Sequence, residues 1–284
     1  MSARRYYSIR TGKNPLSAGI DLSTFAQFFL DIYVHFVQQQ YFQEAFGYDC
    51  VDAGYVAGIL GGNIEAQMLR KLRKRNLWPI EERCLQYSED DIFDVIEFLF
   101  DCVSRPVDGF YHSYGSCGWH YSEFNKEAGR TEFREEVNQI MSDYGDGFTL
   151  SEEGEVLITG RPGLNLIFQA TISTSDPEKV DERVAAAITK FRRHRSTVED
   201  RLDAVRDLVG VLEFLRPKIK ELLTKKDEDD LFILANKFGI RHHDASQQTD
   251  YDKPIWYSWM FYYYLATIHA VTRLIEQRKT ESTD

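Results

Sequence analysis

The residues best suited to chemistry stand close together in one stretch near the C-terminus, FGIRHHDASQQTDYD. Arg241 can bind a phosphate, while His242 and His243 can exchange protons near neutral pH. Gln247 and Gln248 can form hydrogen bonds with a phosphate or a base edge, but they cannot transfer protons near that pH. So many polar groups beside a very aromatic segment favour a binding or catalytic loop. The alternative is a polar corner in which Arg241 pairs with a neighbouring aspartate.

The start of this stretch resembles the motif of the HEPN superfamily, whose four-helix domains bind nucleotides or cleave RNA. That motif is an Arg, a polar residue, and a His separated from the Arg by four to six residues. Arg241 and His242 match the first two elements, but positions 246, 247 and 248 are Ser, Gln and Gln, so the motif is incomplete. For complete members the resemblance implies metal-free RNA cleavage, in which a His moves a proton and an Arg stabilises the phosphorane charge. Here His242 or His243 would replace the missing His.

Two activities are compatible with this incomplete motif. The first is a metal-independent endoribonuclease that uses Arg241, His242 and His243 as its catalytic residues. The second is a non-catalytic HEPN scaffold that binds RNA, a nucleotide or a partner protein in a defence or toxin-antitoxin system. The missing His separates the two, so enzymatic activity is left open.

Two runs of basic residues could contact the phosphates of RNA. RKLRKR at 70–75 and KFRRHR at 190–195 each place several cations on one or two helical turns. Both lie toward expected helix C-termini, where cations are favoured, so a solvated helix face is the alternative. Proteins that act on RNA often guide its backbone with Arg and Lys, and the second run belongs to the same domain as the motif. We predict RNA contacts from Arg192, Arg193, Arg195, Gln247 and Gln248.

A zinc site with mixed Cys and His ligands can be drawn in the first half of the chain. His112, Cys117 and His120 lie within nine residues, and Cys102 precedes them. However, the spacing fits no standard zinc finger, and no CxxC is present. We expect the aromatic side chains of this segment, including Trp119, to fix it to the core instead. We therefore predict no metal and no cofactor.

Apolar spacing predicts three helices in the first hundred residues. The first extends over about 22–45, and the second begins after Asn63. The third begins after Ser88, where Asp91 completes a pattern resembling a capping box.

The chain then changes character. Residues 107–129 are rich in Gly, Ser, Tyr and His, show neither helical nor strand periodicity, and are expected to form an ordered loop. Thr131 is expected to begin a further helix. FTLSEEGEVLI predicts a hairpin with strands at 147–150 and 155–159.

Residues 88–160 resemble an N-terminal domain found on AbiJ-type abortive-infection proteins of bacteria. The resemblance rests on four features: a helix with DVIE, the Trp/His/Tyr-rich segment, a helix with Asn138, and a hairpin with the sequences Gly-Phe-x-Leu and Gly-Glu. The resemblance implies an anti-phage defence protein. In that family the N-terminal domain senses and a C-terminal HEPN domain acts on RNA.

The pattern after about residue 172 is entirely helical. Four helical segments begin near Pro177, Thr197, Asp227 and Pro254, and their short joins predict an up-down bundle. The helix after Thr197 is expected to kink or break near Pro217. The last segment is aromatic nearly all round, so one side is expected to face the bundle and another a subunit interface or stacked bases. The HEPN resemblance implies dimers that bring two motif loops together, and we predict a homodimer.

Composition restricts the remaining possibilities. The chain of 284 residues carries a net charge of −11, which argues against indiscriminate DNA coating. No apolar run approaches the roughly 18 residues that a membrane span needs, so we predict no membrane contact. Four scattered cysteines form no tight disulfide framework, and a reducing cytoplasm is the simplest location.

Together these patterns predict a mainly α protein. We expect an α+β sensing or regulatory domain with a small β-hairpin over residues 1–172 and a four-helix HEPN-like bundle over 173–284. The predicted function is that of a bacterial abortive-infection protein that binds RNA. A phage-derived trigger or partner protein is expected to act on it.

Overall fold

The protein is described here by a computed structural model, and its described residues divide into two compact units, Met1–Thr159 and Gly160–Asp284. Each unit has its own hydrophobic core. The described residues are mainly α-helical with small two-stranded antiparallel hairpins, which confirms the predicted fold class. The structure describes residues 6–13, 19–145, 147–160, 164–168, 170, 172, 176–238, 240 and 251–281.

The first unit combines helices with three hairpins, in which β1 pairs with β2, β3 with β4, and β5 with β6. Its elements are α1 (Tyr7–Arg10), α2 (Leu22–Gln38), α3 (Gln43–Phe46), β1 (Gly47–Cys50), β2 (Gly54–Ala57), α4 (Ile64–Leu72), α5 (Ile80–Arg83), α6 (Glu89–Cys102), β3 (Arg105–His112), β4 (Gly118–Asn125), α7 (Lys126–Met141), β5 (Phe148–Leu150) and β6 (Val156–Ile158).

Helices α2, α6 and α7 supply much of the core of this unit. Phe36 of α2 meets Phe133 of α7 edge to face, with ring centroids 5.3 Å apart, a favourable aromatic geometry. Helix α6 begins at the predicted capping box, because the side chains of Ser88 and Asp91 each accept a hydrogen bond from the other residue's backbone N–H. Asn63 also caps α4 as predicted, by accepting from the Ala66 N–H.

The predicted hairpin near residue 150 is confirmed to within one residue at each boundary. Asn138 of α7 fixes it through two hydrogen bonds. Its Oδ1 accepts from the Leu150 N–H at 2.6 Å, and its Nδ2 donates to the Leu150 carbonyl at 3.2 Å. The strand β5 is therefore held against the helix by a backbone-like pairing.

Two predictions about residues 107–131 are wrong. The expected loop is a β-hairpin, β3–β4, with register shifts between Pro106 and Gly109. Most of its residues are exposed or half-buried on both faces, so the apolar-polar alternation that reveals a strand is absent from the sequence. The next helix starts at Lys126 rather than Thr131, because Asn125 caps it by accepting from the Ala128 N–H at 2.9 Å.

The predicted helix over 22–45 is also wrong in its C-terminal part, since α2 ends at Gln38. Gln40 has a φ of 64°, in the left-handed region. The N–H of Tyr41 bonds to the Phe36 carbonyl, and the N–H of Gln40 bonds to the Val37 carbonyl. This pair of bonds is the Schellman ending of a helix, which usually has Gly at the left-handed position. Because Gln occupies this position instead of Gly, the sequence does not indicate where the helix ends.

The second unit is a set of four helices preceded by a short 3₁₀ turn, Asn165–Phe168. The ring centroid of Phe168 lies 6.5 Å from that of Phe191 and 6.3 Å from that of Phe261. The 3₁₀ turn therefore packs against the helices of the second unit. The unit thus begins at Gly160, 13 residues before residue 173, where the second domain was expected to start. Its helices are α8 (Asp181–Arg192), α9 (Val198–Leu222), α10 (Lys225–Lys237) and α11 (Lys253–Glu281).

Contacts of α9 with α10 and α11 define the direction of these helices. Arg216, toward the end of α9, pairs at 2.6 Å with Glu228, near the start of α10. Arg206, in the first half of α9, donates to the Ile240 carbonyl just after α10, so these two helices are antiparallel. Arg201 bonds to Ser258 near the start of both α9 and α11. Near their ends Arg278 donates to the Glu221 carbonyl, so α9 and α11 are parallel.

Helix α8 completes the predicted up-down arrangement. Lys190 near its end pairs with Asp207, in the first half of α9, at 2.6 Å. Lys179, just before its start, lies over the ring of Phe214 farther along α9, with Nζ 5.2 Å from the centroid, so the two helices are antiparallel. Helix α9 continues through Pro217, so of the predicted kink or break, a break is wrong. No helix of the described residues is both long and apolar enough to cross a membrane.

Candidate functional site

The join between α10 and α11 carries the predicted catalytic residues. Arg241, His242 and His243 lie outside the described residues, as do Gln247 and Gln248. Their assignment therefore stays a prediction. Both ends of the join are described, and they define where the chain leaves the bundle and where it returns. We call residues 241–250 the motif loop.

The two ends of the motif loop are held against each other and against α9. The Tyr251 hydroxyl donates to the Phe238 carbonyl at 3.2 Å, and their rings meet edge to face with centroids 5.1 Å apart. Ile240 is fully buried, and its carbonyl accepts from Arg206 Nε of α9 at 2.8 Å. The loop therefore begins and ends beside the N-terminal half of α9.

The basic run 190–195 lies at the same end of the bundle. It ends α8 and leads directly into the join before α9. Arg201, in the first turns of α9, donates from Nε to Ser196 Oγ at 3.3 Å and from Nη1 to Ser258 Oγ at 3.4 Å. Because Ser258 is near the start of α11, the α8–α9 join and the flanks of the motif loop are neighbours. Two groups that the sequence predicts separately thus share one end of the bundle.

The three arginines predicted to contact RNA are not equivalent. Arg192 is half-buried, and its guanidinium carbon lies 5.2 Å from the centroid of the Phe168 ring. Burial lowers the pKa of Arg192 from its usual value, although a guanidinium stays charged in proteins. Arg193 and Arg195 are exposed. The latter two can present cations to a ligand, whereas Arg192 packs into the bundle.

Several acidic side chains at this end form contacts within the protein. Asp200 accepts from the Thr197 N–H at 2.8 Å in the capping box of α9. Asp203 pairs with Arg206 at 3.0 Å, and Asp207 pairs with Lys190 at 2.6 Å. Engagement with cations and backbone N–H groups reduces the repulsion that these carboxylates would exert on a phosphate.

The other basic run, 70–75, contains cations that are paired within the first unit. Lys71 Nζ lies 3.2 Å from Asp101, and Lys74 Nζ lies 2.9 Å from Asp91 and 2.6 Å from Asp94. These pairs join α4 and the residues just after it to α6. They favour the interpretation of this run as a helix face rather than a phosphate-binding surface.

The aromatic helix α11 has one buried and one partly exposed side. Trp256 is 38% exposed and Trp259 is 43% exposed. Trp256 stacks on Phe238 at the flank of the motif loop, with centroids 5.3 Å apart, and Trp259 stacks on Tyr263 at 5.6 Å. The partly exposed aromatic rings therefore begin beside the motif loop.

A second cluster, in the first unit, brings together Cys50, His112, Cys117 and His120. One possible ligand atom of each residue lies within 4.8 Å of those of the others. We call these four residues the Cys/His cluster. Backbone N–H groups of Ala53 and Asp52 bond to the Cys50 sulfur and lower the pKa of that thiol.

Three of these residues were considered in the sequence, and Cys50 was missed because it is 62 residues away from His112 along the chain. Cys102, the upstream residue drawn as a fourth ligand, is not part of the Cys/His cluster. It is buried near the end of α6, where burial raises the pKa of its thiol to about 12. The expectation that Trp119 fixes this segment to the core is wrong, since Trp119 is 47% exposed.

Known proteins do not identify either site. No protein-family model matches the chain, no curated protein matches its sequence, and no solved structure matches its fold.

Proposed function

We propose that the second unit is a HEPN-like bundle that binds RNA at the end where the α8–α9 join lies beside the flanks of the motif loop. The observation that carries this proposal is the hydrogen bond from Arg206 to the Ile240 carbonyl, which holds one flank of the loop beside α9. Arg193 and Arg195 lie at the same end. Binding of a phosphate backbone needs several cations along its path, and this end supplies them on neighbouring segments.

The motif loop adds a chemical function to this surface. Arg241 stabilises the charge that develops on the phosphate, and His242 or His243 transfers a proton. The 2′-hydroxyl of RNA is the nucleophile, so DNA does not react. The biological setting is anti-phage abortive infection, supported by the resemblance of residues 88–160 to AbiJ-type N-terminal domains.

RNA binding is tested with the full chain and a fluorescent, unstructured RNA over a range of salt concentrations. We expect Arg193→Gln with Arg195→Gln to weaken binding and to flatten the log–log salt dependence by about 0.7 per lost phosphate contact. The matched control is Lys225→Gln with Lys226→Gln, which removes the same charge from the opposite end of the bundle. Equal affinity and an equal salt slope in the test variant would contradict this surface.

Cleavage is tested separately from binding, with no added divalent ion. We expect Arg241→Ala, and His242→Ala with His243→Ala, to abolish RNA cleavage and toxicity in cells, while DNA of the same sequence stays intact. A wild-type chain that binds RNA with the predicted salt dependence but does not cleave it would identify a non-catalytic scaffold. Cleavage that survives both variants would contradict the catalytic assignment.

A further inference from the structure

The Cys/His cluster is built from two β-hairpins that are distant in sequence. Cys50 is the last residue of β1, and His112 is the last residue of β3. Cys117 immediately precedes β4, and His120 lies within it. The four side chains therefore come together only because the two hairpins approach each other in space.

The spacing of the side-chain atoms fits a shared tetrahedral ion. Cys50 Sγ lies 3.8 Å from His112 Nδ1, and Cys117 Sγ lies 3.1 Å from His120 Nε2. Zinc–sulfur bonds of 2.3 Å and zinc–nitrogen bonds of 2.0–2.1 Å place neighbouring S and N ligands about 3.5 Å apart in a tetrahedron. Both cysteines are free thiols rather than halves of a disulfide.

A carboxylate orients one of the imidazoles. His112 Nε2 lies 3.2 Å from Asp52 Oδ2, in the turn that follows β1. A proton on Nε2 facing this carboxylate leaves the lone pair of Nδ1 directed toward Cys50. Metal-binding histidines usually have such a partner on the second ring nitrogen, which fixes the tautomer and orientation.

The surroundings of His120 exclude water from the other side. His120 is only 4% exposed, and its ring centroid lies 4.3 Å from that of Tyr48 and 4.9 Å from that of Phe110. The turns of the two hairpins also approach closely, since a Cβ on Gly115 would lie 3.1 Å from Val51 Cγ1. His120 is therefore buried between packed rings, while Cys50, His112 and Cys117 are half-buried beside it.

We propose that Cys50, His112, Cys117 and His120 bind one Zn²⁺, which joins the β1–β2 turn to the end of the β3–β4 hairpin. Two thiolates and two imidazoles form the donor set that suits Zn²⁺ among the common divalent ions. Two thiolates also neutralise the charge of the ion. Because four protein ligands leave no position for water or substrate, the site is structural.

The proposal is tested on the full chain by elemental analysis, visible spectroscopy and thermal unfolding. We expect about one Zn²⁺ per chain, and replacement by Co²⁺ is expected to give the strong visible absorption of a tetrahedral site with sulfur ligands. A chelator is expected to lower the melting temperature, because an ion that binds only the folded state stabilises it. These readouts do not depend on RNA binding or cleavage.

Substitutions distinguish this ligand set from others. We expect Cys50→Ala with Cys117→Ala to lose the zinc and the cobalt spectrum, and its melting temperature should no longer respond to chelator. Cys102→Ala is the matched control and should keep both. Full zinc content in the double variant would place the ion at another site. A wild-type chain that takes up neither Zn²⁺ nor Co²⁺ would show two metal-free Cys–His pairs. Either result would overturn the proposal.

A milder variant keeps the test valid if loss of a ligand prevents folding. Asp52→Ala removes the partner of His112 but leaves all four ligands in place. We expect it to fold and to bind zinc about 10–100-fold more weakly in competition with a chromogenic chelator. Asp49→Ala on the same hairpin is the control and should retain wild-type affinity. Equal affinities in the two variants would contradict the role of Asp52 and the proposed ligand geometry.

Discussion

Adjacent arginines in the run 190–195 have different surroundings, and this difference determines what each can do. Arg192 is half-buried over the Phe168 ring, whereas Arg193 and Arg195 are exposed. A desolvated cation–π contact contributes roughly 2 kcal/mol. Substitution of an exposed surface side chain usually changes the free energy of unfolding by less than about 0.5 kcal/mol. Only the exposed pair is therefore suited to a test of RNA binding.

We expect Arg192→Gln to lower the free energy of unfolding by about 1–2 kcal/mol, through loss of the ring contact and of the buried stem. Arg193→Gln with Arg195→Gln should change it by less than that, because both side chains are exposed and contacts of exposed charged groups contribute only about 0–1 kcal/mol each. Chemical denaturation followed by circular dichroism measures both. A similar loss of free energy of unfolding in the two variants would show that the contact of Arg192 with Phe168 adds no stability.

At the residue scale, the features that the sequence predicts correctly are local. Asn63, Ser88 and Thr197 cap helices because a side chain reaches a backbone N–H three residues later, which sequence spacing alone defines. The contact of Arg192 with Phe168 depends on a ring 24 residues earlier in the chain. Spacing along one helix contains no information about such a partner.

At the scale of elements, Asn138 joins the β5–β6 hairpin to α7. Both of its hydrogen bonds reach Leu150, and they require a donor and an acceptor on the same side chain. Asn138→Asp keeps the acceptor for the N–H but turns a carboxylate oxygen toward the Leu150 carbonyl. We expect a loss of about 1–3 kcal/mol in the free energy of unfolding, because two acceptors then face each other in a partly buried position.

Asn125→Asp is the matched control for this substitution. Asn125 caps α7 only through Oδ1, and Asp caps a helix about as well as Asn. Its free energy of unfolding should change by less than about 0.5 kcal/mol. If both variants were equally stable in denaturant titrations, Asn138 would not be the residue that fixes the hairpin.

The sequence predicts helices and strands that bury one face, and it does not reveal those that bury neither face. Helix α6 buries a continuous apolar stripe, so its period of 3.6 is visible in the sequence. Strands β3 and β4 are mostly exposed on both faces, and their period of 2 is therefore lost. The end of α2 was missed for a different reason, since Gln40 adopts the left-handed conformation that usually indicates Gly.

At the scale of the whole molecule, each candidate site forms where segments that are far apart in sequence lie close together. The Cys/His cluster needs Cys50 beside a hairpin that starts at Arg105, and no local spacing signals that meeting. The bundle end was partly predictable, because an up-down order places alternate joins together. Arg201 and Arg206, which connect those segments, were not singled out because their bonding partners belong to α11 and to Ile240.

The predicted homodimer is a property of the whole molecule that can be tested on α11. Ile255 is 64% exposed and Trp259 is 43% exposed, and exposed apolar patches often mark an interface. We expect light scattering on the full chain to give twice the chain mass, and Trp259→Glu to give a single chain mass, because a buried unpaired charge opposes association. Ile233→Glu, on the exposed side of α10, is the control and should stay dimeric.

A wild-type chain that is monomeric at micromolar concentration would contradict the dimer. Weaker RNA binding by Trp259→Glu at unchanged mass would assign this face to base stacking instead.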